Sequence, residues 1–150
     1  MSGVAPDTTQ KRKMNNKKNK INPELVSKVW FEKSKEDLKS AKVMLDAHRF
    51  TWCAFICQQA IEKYLKGVYV SRYKKIPPYI HKLERLCEEL KISLPQDLFR
   101  VVVDIDKYYI SARYPSYKEV VAIKDYKTAE NIYNKTREII KWLKEEIKPQ

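Results

Sequence analysis

Ala129, Ile132, Tyr133, Thr136, Ile139, Ile140, Leu143 and Ile147 recur at steps of three and four. A helix burying one face requires that spacing, whereas a strand alternates its side chains between two faces. The same period returns along most of the chain. Asn22-Pro23 has the chemistry of a helix start, an amide that can accept from an orphan N–H and then a proline where no N–H is needed. From there Val26, Trp30, Ser34, Asp37, Leu38, Ala41, Met44 and Leu45 mark one face of a helix expected to end near Ala47. His48-Arg49 reads as the turn. A second helix is expected from about Phe50 to Arg72, a third from Ile80 to Leu90 and a fourth from Gln96 to Ala112. Asp125 can cap the last one.

Glycine occurs only twice, which argues against a sheet protein built on tight hairpins. No period-two segment exceeds a few residues, apart from an ambiguous stretch at Tyr117 to Ile123. The expected fold is therefore all-α, an antiparallel bundle of four to five helices with short connections. A chain of 150 residues suits one domain and can bury about two-thirds of its unfolded surface.

The formal charge of +12 is unevenly spread. Residues 1–22 hold Lys11, Arg12, Lys13, Lys17, Lys18 and Lys20 against Asp7, with almost no apolar content. That segment is expected to be a disordered basic arm or a vector-derived leader, with the folded domain spanning 23–150. The remainder has 25 basic against 18 acidic residues, or +7. Such a surface is compatible with a polyanion such as RNA, and equally with an ordinary lysine-rich exterior. No apolar run approaches the roughly 18 residues of a membrane span, and no secretory signal is evident. Three cysteines, none in a Cys-x-x-Cys pair, fit a reducing cytoplasm. Cys53 and Cys57 lie one helical turn apart, but no zinc spacing is present, so buried thiols are expected and no metal or other cofactor is assigned.

Three stretches carry a resemblance: "SKEDLKSAKVMLDAHRFTWCAFICQQAIEKYLKGV" from Ser34, "IPPYIHKLERLCEEL" from Ile76 and "DKYYISARYPSY" from Asp106. With a closing helix bearing Trp142, they resemble a HEPN domain over about Trp30 to Ile147. The most specific pieces are Gln58-Gln59-Ala60-x-Glu62-Lys63-x-Leu65-Lys66 and Tyr109-x-x-Ala112-Arg113-Tyr114-Pro115. The resemblance implies an up-and-down helical bundle that dimerises and binds a nucleotide or RNA. It also implies a minimal nucleotidyltransferase partner in a toxin–antitoxin-type pair. Many such domains are metal-independent RNA endonucleases whose arginine is followed by histidine four to six residues later. Here Arg113 is followed by Tyr114, Pro115, Ser116, Tyr117, Lys118 and Glu119, so that motif is absent. Cleavage through the 2′-OH needs a group titrating near neutrality, and only His48 and His81 exist. Nuclease action therefore requires His81 to arrive from another part of the fold.

Two readings stay open at each candidate position. Arg113 can fork onto phosphate with Tyr109 and Tyr114 as stacking faces, and with Asp106 on the same helical face counted among the candidate nucleotide- or RNA-binding residues, or it can bridge to Asp106 and order the loop. His81 can serve as an acid/base, or it can hydrogen-bond backbone at the opening of the third helix. Gln59, Glu62, Lys63 and Lys66 can form a solvated stripe. The resemblance favours instead a dimer cleft lined by Gln58, Gln59 and Glu62, with Lys63 and Lys66 adding positive potential near Arg113. The leading expectation is thus a dimeric cytoplasmic nucleotide- or RNA-binding module that acts with a nucleotidyltransferase. The alternatives are a metal-independent endoribonuclease toxin in which Arg113 anchors the phosphate and His81 or a tyrosine transfers the proton, and a non-catalytic partner-binding bundle.

Overall fold

The computed structural model describes residues 3, 21–114 and 122–147. Among these it is entirely helical: α1 (Pro23–Asp46), α2 (Phe50–Tyr73), α3 (Leu83–Leu90), α4 (Gln96–Ile105), the single turn α5 (Tyr108–Ser111) and α6 (Tyr126–Glu146). Residues 1, 2 and 4–20 of the expected arm, and Tyr117 with most of the ambiguous stretch that follows it, lie outside the described residues, as does Pro115.

Local chemistry sets the helix starts. Asn22 Oδ1 accepts from Leu25 N at 3.2 Å with Pro23 in the first turn. Asp125 Oδ1 accepts from Thr128 N at 2.8 Å, and this bond holds the Asp125 carboxyl below its ordinary range. The ends use an unusual device for a glycine-poor chain. His48, Lys74 and Lys91 all take positive φ, between 55° and 58°, where glycine would ordinarily sit. His48 makes the three-residue turn that sets α1 and α2 antiparallel, with Arg49 N donating to Met44 O at 2.8 Å.

The longest contact is between α1 and α2, and it is built on small residues. Ser34, Ala41 and Ala60 are buried there, and Ser34 Oγ donates to the Ala60 carbonyl at 2.6 Å. Gly67 belongs to the same seam: a Cβ on it would stand 2.7 Å from the Phe31 ring, which packs on Tyr64 with centroids 4.8 Å apart. Helix α2 is the central rod, touching α1, α3, α4, α5 and α6. Ile61, Leu65 and Val68 from α2 meet Leu86 of α3, Ile105 of α4 and Ile139 of α6 in one core.

Two boundaries differ from expectation. The third helix starts at Leu83 rather than Ile80, because residues 74–82 run as an irregular connection through Pro77 and Pro78. The fourth does not run unbroken to Ala112. It interrupts at Asp106–Lys107, where Tyr109 N donates to the Asp106 carbonyl three residues back, at 3.2 Å. Both boundaries meet at Asp106, whose carboxylate accepts from Leu83 N.

Candidate functional site

An eight-residue helix is too short to hold itself together in water, so α3 needs outside support at its ends. Lys82, at its N-cap, supplies no side-chain cap. Asp106 does so from the far side of the chain: both carboxylate oxygens accept from Leu83 N, each at 3.0 Å. At the other end Arg72 Nη1 donates to the Leu90 carbonyl. An acid at the N-terminus and a cation at the C-terminus also match the helix dipole. The break between α4 and α5 is where Asp106 turns inward to make this cap.

Gln58 ties the cap to the central rod. Its side chain is fully buried. Nε2 donates to the His81 carbonyl at 2.8 Å and to Asp106 Oδ1 at 3.4 Å, while Oε1 accepts from Gln59 Nε2 at 2.8 Å. A buried amide with its bonds made inside one subunit fixes the backbone of His81 against α2. Asp106 is therefore engaged with Leu83 and Gln58, and the alternative of an Asp106–Arg113 bridge is corrected. Burial raises the Asp106 carboxyl above its ordinary pKa despite the Leu83 and Gln58 bonds.

Outside this clamp lies a stack of rings. The His81 imidazole packs on the Tyr109 phenol with centroids 4.6 Å apart and planes 16° from parallel. The Arg113 guanidinium lies 4.2 Å from the same Tyr109 ring and donates Nε–H to the Tyr109 carbonyl at 3.0 Å. Tyr114, more than half exposed, lies 5.8 Å from the Arg113 guanidinium, and Tyr79 meets His81 edge-on at 5.5 Å. Phe55 of α2 backs Tyr109 at 6.4 Å. His81 thus reaches Tyr109 and the Arg113 stack from the connection before α3. It does not open that helix with a backbone bond, as the alternative reading had it. Its Nδ1 lies 3.0 Å from Glu62 Oε1. A carboxylate there accepts a hydrogen bond from Nδ1–H and, in the neutral ring, leaves the Nε2 lone pair available.

The α2 charges are arranged otherwise than a solvated stripe or an open positive wall. Glu62 and Lys66 are buried, with Lys66 Nζ 3.7 Å from Glu62 Oε2 and 5.8 Å from the Trp30 ring. Lys63 Nζ is 2.6 Å from Asp37 Oδ2 of α1. Each lysine is matched by a carboxylate, so the expectation that they add positive potential near Arg113 is corrected. Burial raises the Glu62 carboxyl above its ordinary value, opposed by Lys66 and His81. Asp37, Trp30, Tyr79 and Phe55 were not picked out as site residues. Asp37 did carry a signal, a carboxylate on the inward face of α1.

The three cysteines are free and buried. The Cys53 bond and burial push the Cys57 thiol well up, and burial takes Cys87 to about 12. Among the described residues no group of three or more His, Cys, Asp or Glu side chains gathers as a metal site. A concavity of about 190 Å³ between α1, α2 and α6, lined by Phe31, Ser34, Leu38, Tyr64 and Ile140 among others, shares no residue with the stack. No helix among the described residues is long and apolar enough to cross a membrane.

The family model of the HEPN domain matches residues 27–147. The chain belongs to the HEPN domain family. Membership makes it a nucleotide- or RNA-related module in general terms. Two solved structures are similar. TT1696 from Thermus thermophilus has a TM-score of 0.67 and 26% identity over 79% of this chain and 96% of that one. ST0689, an archaeal HEPN homologue, has a TM-score of 0.64 and 23% identity over 81% of this chain and 98% of that one. No curated protein matches. The HEPN match includes the clamp and every residue of the ring stack.

The clamp should respond to pH. Because burial raises the native pKa of Asp106, the folded state holds its proton more tightly than the unfolded chain. The associated stability is complete below the ordinary value of 3.8 and is lost as pH rises through the higher native value. Asp106→Asn cannot ionise, so its urea midpoint relative to wild type should improve as pH rises through that window. A constant difference, or one moving the other way, would contradict the assignment.

Proposed function

We propose that this HEPN protein binds RNA or a nucleotide at the Arg113–Tyr109–His81 stack, as a dimer acting with a minimal nucleotidyltransferase in a toxin–antitoxin-type pair. The observation that carries the ligand reading is the exposed guanidinium laid on the Tyr109 ring. It offers a planar fork for phosphate beside aromatic faces for a base. Tyr114 extends those faces. Gln58, itself bonded to Gln59, and Glu62 contribute beneath this surface as the support that positions His81, while Lys63 and Lys66 are held in ion pairs with Asp37 and Glu62. Self-association draws support from Phe99, Val103 and Ile110, exposed apolar side chains in sequence along α4 and α5. The nucleotidyltransferase pairing rests on the family resemblance alone.

A metal-independent endoribonuclease is the second reading, and the His81 position favours it. The sequence lacks a contiguous arginine–histidine motif, yet the fold supplies both groups on one tyrosine ring. In that reaction His81 Nε2 takes the 2′-OH proton and the 2′-oxygen attacks the adjacent phosphorus. The bond from phosphorus to the 5′-oxygen breaks, and that oxygen takes a proton from water, leaving a cyclic phosphate and a free 5′-hydroxyl. Arg113 offsets the charge gathering on the phosphoryl oxygens.

Two variants separate these readings and a third tests self-association. Arg113→Ala should weaken binding of a short RNA about tenfold and lower the salt slope by about one. If RNA is cut in EDTA, His81→Ala should abolish cutting while leaving affinity within a few-fold. Binding without cutting in wild type keeps the first reading, and unchanged binding in Arg113→Ala overturns both. Val103→Glu should shift sedimentation from dimer towards monomer, and an unchanged sedimentation profile would remove α4 from the interface.

A further inference from the structure

Tyr79 has no structural employment in the core. It is 95% exposed, the most exposed large apolar side chain among the described residues. Left in water on a loose loop, such a ring would be an ordinary surface residue. Its backbone is anything but loose. Pro77 and Pro78 precede it with fixed φ. Ile80 N donates to the Pro78 carbonyl at 2.8 Å, which makes Tyr79 the central residue of a three-residue turn. Two residues later the His81 carbonyl is pinned by the buried Gln58 amide. The ring is thus presented outward from a rigid support, and a rigid aromatic loses little entropy on binding.

Its surroundings indicate what it binds. Tyr79 touches His81 edge-on, His81 stacks on Tyr109, and Tyr109 carries Arg113, so the ring continues the site described above without a gap. The same connection holds Lys74, Lys75 and Lys82, all exposed, with Lys74 Nζ donating to the Ser71 carbonyl and Lys82 Nζ 4.0 Å from Glu84 Oε2. Cations that follow a backbone, alternating with aromatic faces that take bases, are the arrangement by which proteins hold a single strand. An apolar protein partner would gain nothing from exposed lysines on the segment that carries its anchor.

We propose that Tyr79 is a base-stacking residue, forming a subsite for an unpaired nucleobase next to the phosphate position at Arg113, and that it sets a preference for unpaired over duplex RNA. This deepens the RNA reading and rests on it. A base held inside a duplex keeps both faces stacked on its neighbours and cannot lie on Tyr79, whereas Arg113 and the lysines meet phosphates of either form.

Fluorescence anisotropy decides the matter, with one short labelled RNA used alone and annealed to its complement. Wild type should bind the single strand more tightly than the duplex. Tyr79→Ala should lose about tenfold of the single-strand affinity, within the range of base–aromatic stacking, with duplex affinity and salt slope unchanged. Tyr79→Phe should behave as wild type. The ring is outside the core, so all variants should melt together, and a circular dichroism melt checks this. Single-strand affinity undiminished in Tyr79→Ala overturns the subsite. The RNA reading survives that result if Arg113→Ala still weakens binding. If wild type binds neither RNA form, both fall. Unchanged RNA affinity with loss of self-association in Tyr79→Ala would assign the ring to a protein interface and overturn the subsite.

Discussion

Asp106 leaves the course of its own helix to cap another, and most of what is distinctive in this molecule follows from that. Its two oxygens supply the N–H partner that α3 lacks locally, and the inward turn that brings them there breaks α4 from α5. The break in turn sets the pitch of the single turn carrying Tyr109 and the approach to Arg113. Gln58 reads both sides of the joint, bonded to Asp106 and to the His81 backbone from the buried face of α2. One buried amide and one half-buried carboxylate thus hold three separate segments in register. Leaving either unpaired inside the core would cost about 1–3 kcal/mol, which is why the arrangement is specific.

The ionic design has the same character. Glu62 stands between Lys66, which is sealed beneath Trp30, and the half-exposed ring of His81. A carboxylate in that position is costly to bury, and its raised pKa reports the cost. In exchange it orients the imidazole and gives Lys66 its partner. Lys63 and Asp37 repeat the pairing across the α1–α2 seam. Positive charge left for a ligand therefore resides on Arg113 and on Lys74 and Lys75 of the connection before α3, away from the charged side of α2, since Lys82 lies beside Glu84.

Helical period and caps were legible because they are local: Asn22-Pro23, Asp125 and the apolar steps of α6 each act within a turn or two. The HEPN signature was legible as well. What stayed hidden depends on residues far apart in the chain. Nothing near Leu83 announces that its cap is 23 residues away, and nothing near His81 announces Tyr109. The charged face of α2 was misjudged for a definite reason. Amphipathic reasoning sends lysine and glutamate to solvent, but a helix packed on all sides has no solvent face to offer. Asp37, set among apolar neighbours on α1, was the available hint that a lysine on α2 had a partner. The exposure of Tyr79 could not be inferred, since only the pinned turn after the two prolines shows that it is displayed.

His81, Tyr109 and Arg113 are proposed to act as one ligand surface, and the chain's histidine content makes that directly measurable. There are only two histidines, and His48 sits in the α1–α2 turn against Phe50 and Tyr126. Proton–carbon NMR of the two imidazoles during titration with a short single-stranded RNA therefore reads the site without assignment of the whole spectrum. The resonances of the His81 ring, which lies on the Tyr109 face, should move progressively to saturation while those of His48 stay in place. A titration that moves His48, or that saturates binding with both rings unmoved, would contradict it.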